Sequence, residues 1–512
     1  MMDTMIEMFP FYKQRVHEIL VDNSQWVWAF FWTALSVFFF QCTLLVGERM
    51  YEQPPDEPLM IRSMTALQFV QRFITNDGPE FLLQLCRILQ VDNLRVPIPR
   101  VFRVKAFIVA DSDAARSILE NPKSIKTPIM YDFYDKMASG TTFFAHNGKR
   151  STHVHKSTIM AFSNRRRMEQ ITESVLERWI KERFEPLYVK TGKPVNMDEE
   201  MVLVTTDIFS QIAFDYKLTF QERELLVSSM QRSMRDFFSS TNIFKAMEWS
   251  SWMFPSAREM QLATQHPRVI CTRILKKHRQ KPKPDPETLI DMIVNDQKYA
   301  SDDERISDMI MFLFSGFDGA AHTIAFALLE LSRKPEEQLY LRQCLQKLET
   351  TNTKTKTKNS NAARYYCPPM KHVIRETLRL YCPNALGSIR TPADDVVLAG
   401  KKRIPAGSIC IMPFYVMLRN ETIYKYADCF VPSRWENPTE EQIRSFLPFA
   451  AGRRSCQGQI LATVELGAIL SRLISSYKFH VVTLGRPEYS VTLKPVGTKL
   501  GIKTIDKCKN TH

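Results

Sequence analysis

With 512 residues and 44% hydrophobic content, the chain can bury a sizeable core in one large domain or in up to about three ordinary ones. Its 69 Lys and Arg against 55 Asp and Glu give a formal charge of +14, which suits an acidic partner, an anionic membrane surface or simply a basic solvated exterior. Zinc-finger spacing, an RNP-like strand and a long Lys/Arg tract are missing, which sets nucleic acid aside; ten scattered cysteines without a C-x-x-C pair suit a reducing compartment.

Trp26 to Gly47, WVWAFFWTALSVFFFQCTLLVG, carries no charge over 22 residues. As a helix it would span about 33 Å, enough to cross a bilayer. Phe and Trp lie all round it, unlike the single apolar stripe of a surface helix. Its length, the acidic Asp3 and Glu7 before it and the lack of a small-residue cleavage site argue against a removed signal peptide. The expected organisation is an N-terminal segment over 1–25, a transmembrane anchor over 26–47, a proline-bearing acidic linker over 48–59 and a globular body over 60–512.

Within the body, VFRVKAFIVA (Val101 to Ala110) predicts paired strands, followed by a helix over DSDAARSILENP that Asp111 or Ser112 can cap. From Met168 to Pro335, apolar residues at three and four spacing predict mainly helices. Inside that span, the aromatic run Asp236 to Phe254 suits a second membrane contact or core packing. Glu349 to Tyr366 reads as a polar surface loop. A helix at PPMKHVIRETLRLY, short strands through VVLAGKKRIPAGSICIMP, a glycine-bearing loop, another helix and a terminal β region follow. One mixed domain with helices in the majority is expected.

The glycine-bearing loop, SFLPFAAGRRSCQGQILATVEL (Ser445 to Leu466), carries the clearest chemistry. Gly452 allows a sharp turn, Arg454 stands two residues before Cys456, and Gly458 two after it lets backbone approach closely. A helix starts just beyond, so its dipole and free N–H groups favour a thiolate at Cys456. Such a thiolate could be a nucleophile, a redox thiol or a metal ligand; the first wants a His or a resolving Cys, and the loop holds neither.

Phe449, Gly452, Arg454, Cys456 and Gly458 reproduce F-x-x-G-x-R-x-C-x-G, and here the chain resembles the cytochrome P-450 superfamily. The resemblance implies that Cys456 is the thiolate ligand of haem iron (iron protoporphyrin IX), that Arg454 pairs with a haem propionate and that Phe449 shields the sulfur. Ala450 and Gln457 depart from the family's usual Gly or Ser and usual apolar residue. Glu376 and Arg379 in ETLRLYCP match its E-x-x-R helix, and FVPSRW matches its F-x-P-x-R-[FW] element, implying a buried Glu376, Arg379 and Arg434 network on the proximal side. Without the resemblance, Glu376 and Arg379 would be an ordinary i,i+3 surface pair. Arg390 in GSIRTP matches a strand arginine that contacts a propionate. Asn147 to Ser163 resembles the G-x-x-W-x-x-x-R helix, with Ser151 at the usual tryptophan and His155 at the usual arginine, so His155, with Lys156, is expected to take that propionate contact.

The helix from Ile306 should cross the distal face, where the family carries A/G-G-x-D/E-T-T and uses the acid and first threonine to deliver protons. Here the stretch is Ser315, Gly316, Phe317, Asp318, Gly319, Ala320, so Asp318 stays and the threonines are gone. Ser315 and Thr323 lie one turn either side of Gly319 and are expected to hold a water chain, with His322 less favourably placed.

The resemblance implies a mainly α fold with smaller β-sheet regions, the P-450 fold, preceded by one N-terminal transmembrane helix. It further implies a membrane-anchored, microsomal-type monooxygenase that inserts one atom of O2 into a lipophilic, sterol- or fatty-acid-like substrate. Electrons would come from NADPH through a flavoprotein reductase, for which Arg453, Lys401, Lys402 and Arg403 could form a basic docking face. The expected place is the endoplasmic reticulum membrane, single-pass, with the catalytic domain cytosolic. The alternatives are an isomerase or peroxygenase needing no reductase, because Gly319 replaces the threonine, and a non-catalytic haem-binding sensor.

Overall fold

The computed structural model describes residues 54–73, 76–98, 103–237, 255–280, 285–355, 360–398 and 401–505. The expected anchor over 26–47 and all but the first two residues of Asp236 to Phe254 lie outside the described residues. Helices hold 58% of the described residues and the sheets are small, as expected.

Six short strands build the main sheet: β1 (Leu59–Met60), β2 (Asn93–Arg95), β3 (Ala106–Val109), β4 (Ile125–Lys126), β5 (Ser388–Thr391) and β6 (Ile409–Met412). The uninterrupted apolar run AFIV makes β3 a fully buried central strand. The order is β1-β2-β3-β6-β5-β4, with β3 parallel to β6 and β5 antiparallel to both β6 and β4. In this register Lys126 of β4 stands opposite Arg390 of β5. Like charges placed so repel, and nothing in the strand pattern itself requires them. Glu57, which the sequence places in the linker, is already part of this body: it is buried and paired with Arg95 at 2.5 Å and Lys105 at 2.7 Å.

Six helices frame the site: α1 (Ser112–Glu120), α2 (Lys149–Thr158), α3 (Met197–Phe214), α4 (Asp302–Arg333), α5 (Pro368–Leu380) and α6 (Gln459–Ser476). Asp111 caps α1, accepting the Ala114 N–H at 2.7 Å. Ser301 caps α4, and Asp302, Asp303 and Glu304 in its first turn suit the positive end of its dipole. Among the described residues α4 is long and apolar enough to cross a membrane, but 83% of its apolar window is buried: it is the core helix. It crosses α3 where Gly316 meets Phe209; a Cβ at 316 would come within 2.1 Å of that ring, so glycine makes room for the Phe209 side chain. The Thr205 hydroxyl donates to the Phe317 carbonyl across the same crossing at 3.1 Å.

One expectation is corrected. Glu349 to Tyr366 is largely helical, with Pro335–Thr355 and Ser360–Tyr365 both wound. The amphipathic first turns propagate into the polar end, and Arg364 returns to Glu349 at 2.8 Å.

Candidate active site

A cavity of ≈ 330 Å³ lies between α4 on one side and the Cys456 loop with α6 on the other. That volume is in the range of small-molecule sites, about 300–1,000 Å³. The loop is a tight reversal in which the Cys456 N–H donates to the Phe449 carbonyl at 2.9 Å. Ala450 and Gly452 take left-handed conformations, φ 56° and 71°. Glycine is required at 452, where a Cβ would press within 2.3 Å of the Leu119 carbonyl oxygen at the end of α1. Gln457 ties the loop to α2, donating to the His155 carbonyl at 2.6 Å and the Thr158 hydroxyl at 3.1 Å.

The Cys456 side chain keeps accessible surface, yet protein surrounds it; that surface faces the cavity. Burial pushes its thiol pKa up and the Gly458 N–H offsets only part of this. The expectation of a thiolate from helix and N–H groups alone is therefore corrected: without a cation at the sulfur, desolvation wins.

A second wall is cationic. Lys126, Arg390 and Arg454 all line the cavity, the first two nearly fully buried. Arg390 donates to the Tyr131 hydroxyl at 2.9 Å and the Ile389 carbonyl at 3.0 Å. Arg454 donates to the Ser151 hydroxyl, and Ser151 to the Phe143 carbonyl. Lys126 donates to the Phe144 carbonyl. Burial, with Arg390 and Arg454 alongside, holds the Lys126 pKa well below the usual lysine range. None of the three is ion-paired among the described residues, so the cluster has the chemistry of a receptor for a dianion. His155 also lines the cavity but bonds the Ser455 carbonyl at 3.3 Å, and burial lowers its pKa, leaving a neutral imidazole. Lys156 points to solvent, away from the cavity.

The third wall, α4, differs from its expected arrangement. The Ser315 hydroxyl donates to the Met311 carbonyl at 2.8 Å and Thr323 to the Gly319 carbonyl at 2.7 Å, so both are turned into their own helix. Asp318 instead accepts from Thr492, which lines the cavity, and pairs with His322 at 3.0 Å. The other His322 nitrogen bonds Asp198 at 2.5 Å. His322 thus joins α4 to α3 through Asp198 and holds Asp318 on its own helix. Burial alone would lower its pKa; Asp198 and Asp318 outweigh that and raise it to about 10. Burial likewise opposes the charge on Asp318, but His322 and Thr492 hold its carboxyl below the usual range.

The profile of the family described as Cytochrome P450 matches residues 97–503. The chain belongs to the cytochrome P450 family. Relatives of this P450 include "Probable cytochrome P450 12d1 proximal, mitochondrial" of Drosophila melanogaster, 36% identical over 33% of this chain and 32% of the relative. "Cytochrome P450 CYP12A2" of Musca domestica is 27% identical over 62% of each chain. "25-hydroxyvitamin D-1 alpha hydroxylase, mitochondrial" of Mus musculus is 32% identical over 34% of this chain and 33% of the relative. The chain thus spans between about a third and three-fifths of the length of these relatives.

Cytochromes P450 are haem-thiolate monooxygenases, so the cofactor is haem. The site of this P450 fits that group on its own chemistry. Arg390 and Arg454, with Lys126 whose charge a neighbouring anion would restore, match two propionates. The described residues hold no cluster of three or more His, Cys, Asp or Glu for a bare metal ion, whereas a lone Cys456 suits a metal already carried in a macrocycle. The expected Glu376 network is present and complete. Glu376 and Arg379 are fully buried and bidentate at 2.9 and 3.0 Å. Arg379 also donates to the carbonyls of Leu418, Ala427 and Cys429. Arg434, Trp435 and the Val431 N–H each reach Glu376 at 2.9 Å. Of the expected docking cations, Arg403 is held by Asp56 and Asp395, and Arg453 donates to the Pro122 carbonyl, so that face offers fewer spare charges than the sequence suggests.

Sequence reasoning missed Lys126, Tyr131, Thr492, Asp198 and Glu465. The last is fully buried on the cavity wall with neither carboxyl oxygen hydrogen-bonded, and burial keeps it protonated far above the usual range. Only the position of Glu465 in the second turn of a mainly apolar helix could have flagged it.

Proposed function

We propose that this P450 is a monooxygenase that inserts one oxygen atom of O2 into a lipophilic, sterol- or fatty-acid-like substrate. The observation that carries the reading is a cavity with a lone thiol on one wall, Arg390, Arg454 and Lys126 without ion pairs on its flank and a helix bearing a buried acid opposite. Bound there, haem supplies the iron chemistry that activates O2 with electrons delivered from outside. The protein does the rest. Cys456 holds the iron as thiolate, Phe449 shields the sulfur, and Gly452 and Gly458 keep the loop close. Arg454, Arg390 and Lys126 hold the propionates, while neutral His155 keeps its ring N–H on the Ser455 carbonyl and adds no charge. Aromatic walls from Tyr134, Phe143, Phe144 and Phe312 exclude water and favour an apolar substrate.

The anchor expected over 26–47 supports a single-pass protein of the endoplasmic reticulum with a cytosolic catalytic domain, served by an NADPH-dependent flavoprotein reductase. Two of the three named relatives are mitochondrial by name, so the same assay is run with a ferredoxin as electron carrier. A second reading, a peroxygenase or isomerase, is favoured by Gly319, which leaves α4 without a hydroxyl at that position. The reduced carbon monoxide complex of the holoprotein should show the haem-thiolate band and Cys456→Ala should abolish it; an unchanged spectrum would falsify the ligand assignment. Product formed with NADPH, carrier and O2 supports the monooxygenase, and product formed only with a hydroperoxide supports the second reading.

A further inference from the structure

We propose that protons reach the cavity through Asp198, His322, Asp318 and Thr492, with Thr492 supplying the cavity-facing hydroxyl that α4 lacks. This rests on the monooxygenase reading and assigns its proton supply. The four groups form one hydrogen-bonded string: Asp198 to His322 at 2.5 Å, His322 to Asp318 at 3.0 Å, and Thr492 to the second oxygen of Asp318. Its two ends differ. The Asp198 side chain is 12% exposed, whereas those of His322 and Asp318 are 2% and 4% exposed. Thr492 and Asp318 line the cavity. The string therefore runs from solvent, through the α3–α4 contact, to the wall facing Cys456.

Two carboxylates flank one imidazolium, so the string carries a net buried negative charge that draws protons inward. The His322 Nε2 proton passes first to Asp318; the protonated carboxyl then hands a proton to Thr492 as the Thr492 hydroxyl turns and gives its own to an acceptor in the cavity. The ring is left neutral with its proton on Nδ1. It is recharged at the bare nitrogen once the ring turns toward Asp198, which takes its proton from solvent. One proton crosses, and the string returns to its starting charge. The hydroxyls of Ser315 and Thr323 cannot do this without first breaking their own helical bonds.

The test uses the full-length holoprotein with its electron carrier. Thr492→Val should keep the haem-thiolate spectrum and the melting temperature, yet divert consumed NADPH from product to hydrogen peroxide by about tenfold or more, and Thr492→Ser should restore coupling. Independently of turnover, the His322 imidazole signals in a histidine-labelled sample should stay those of a doubly protonated ring to about pH 10. Asp198→Asn should bring that titration down. Coupling equal to wild type in Thr492→Val, or a wild-type His322 titrating near 6.5, overturns the proposal. A wild-type protein with the spectrum and the titration but no NADPH-driven product sinks the monooxygenase reading alone. Thr492→Val is then scored on the hydroperoxide-driven reaction, where a loss restored by Ser supports the string and no change refutes it.

Discussion

The two faces of the cavity are built by opposite strategies. On the thiol side, the loop from Phe449 to Cys456 and the α5 pair Glu376 and Arg379 are each set within a few residues of sequence, and one further short segment, Val431 to Trp435, supplies the remaining donors to Glu376. On the α4 side, the decisive partners of Asp318 and His322 arrive from residues 174 and 124 positions away in the chain. A site built from local contacts leaves a motif; a site assembled from distant elements leaves isolated polar letters in apolar helices.

The largest expected effect breaks the local side. Glu376→Ala strands the fully buried Arg379 and should cost about 3–5 kcal/mol, read as a collapsed denaturation midpoint and loss of haem incorporation. If Asp198→Asn cost as much, the contrast between the two faces would fail. The distal side is sharpened by pH. Because the folded pKa of His322 is raised from 6.5 to about 10, its contribution is complete below about 6.5 and disappears as pH rises through 10. Melting temperature should fall across that alkaline window by the equivalent of a few kcal/mol, and His322→Gln should flatten the slope. Packing separates the two glycines of α4 more finely. Gly316→Ala meets the Phe209 ring and should lose about 1–3 kcal/mol, whereas at Gly319 a Cβ finds Pro383 at an ordinary 3.5 Å, so Gly319→Ala should be neutral or gain up to about 1 kcal/mol in thermal melts. Smallest of all, Ala450→Gly relieves a left-handed alanine and should stabilise by about 1 kcal/mol in denaturant titration.

What could be read from sequence follows from the same contrast. Helical periodicity gave the mainly α architecture, and Asp111 was legible as a cap because a capping residue acts on its own neighbours. Cys456, Arg454, Arg390 and the Glu376 pair stood in motifs. The roles expected of Ser315 and Thr323 did not survive, since a hydroxyl in a helix interior bonds its own backbone unless a stronger partner is near, and periodicity cannot say which. His322 looked badly placed because its partners, Asp198 and Asp318, meet it only through the crossing of α3 and α4. Lys126 was invisible for a related reason: its place opposite Arg390 depends on strand register across 264 residues, 126 to 390.

The cluster of Lys126, Arg390 and Arg454 also makes the cofactor a partner in folding. In the haem-free protein Arg390 and Arg454 repel each other in a low-dielectric wall and suppress the charge on Lys126, so a dianion that binds only the folded form stabilises it by mass action. Haem-free chains should therefore open first at the β4–β5 edge, and supply of the prosthetic group would govern how much of this protein persists in a cell.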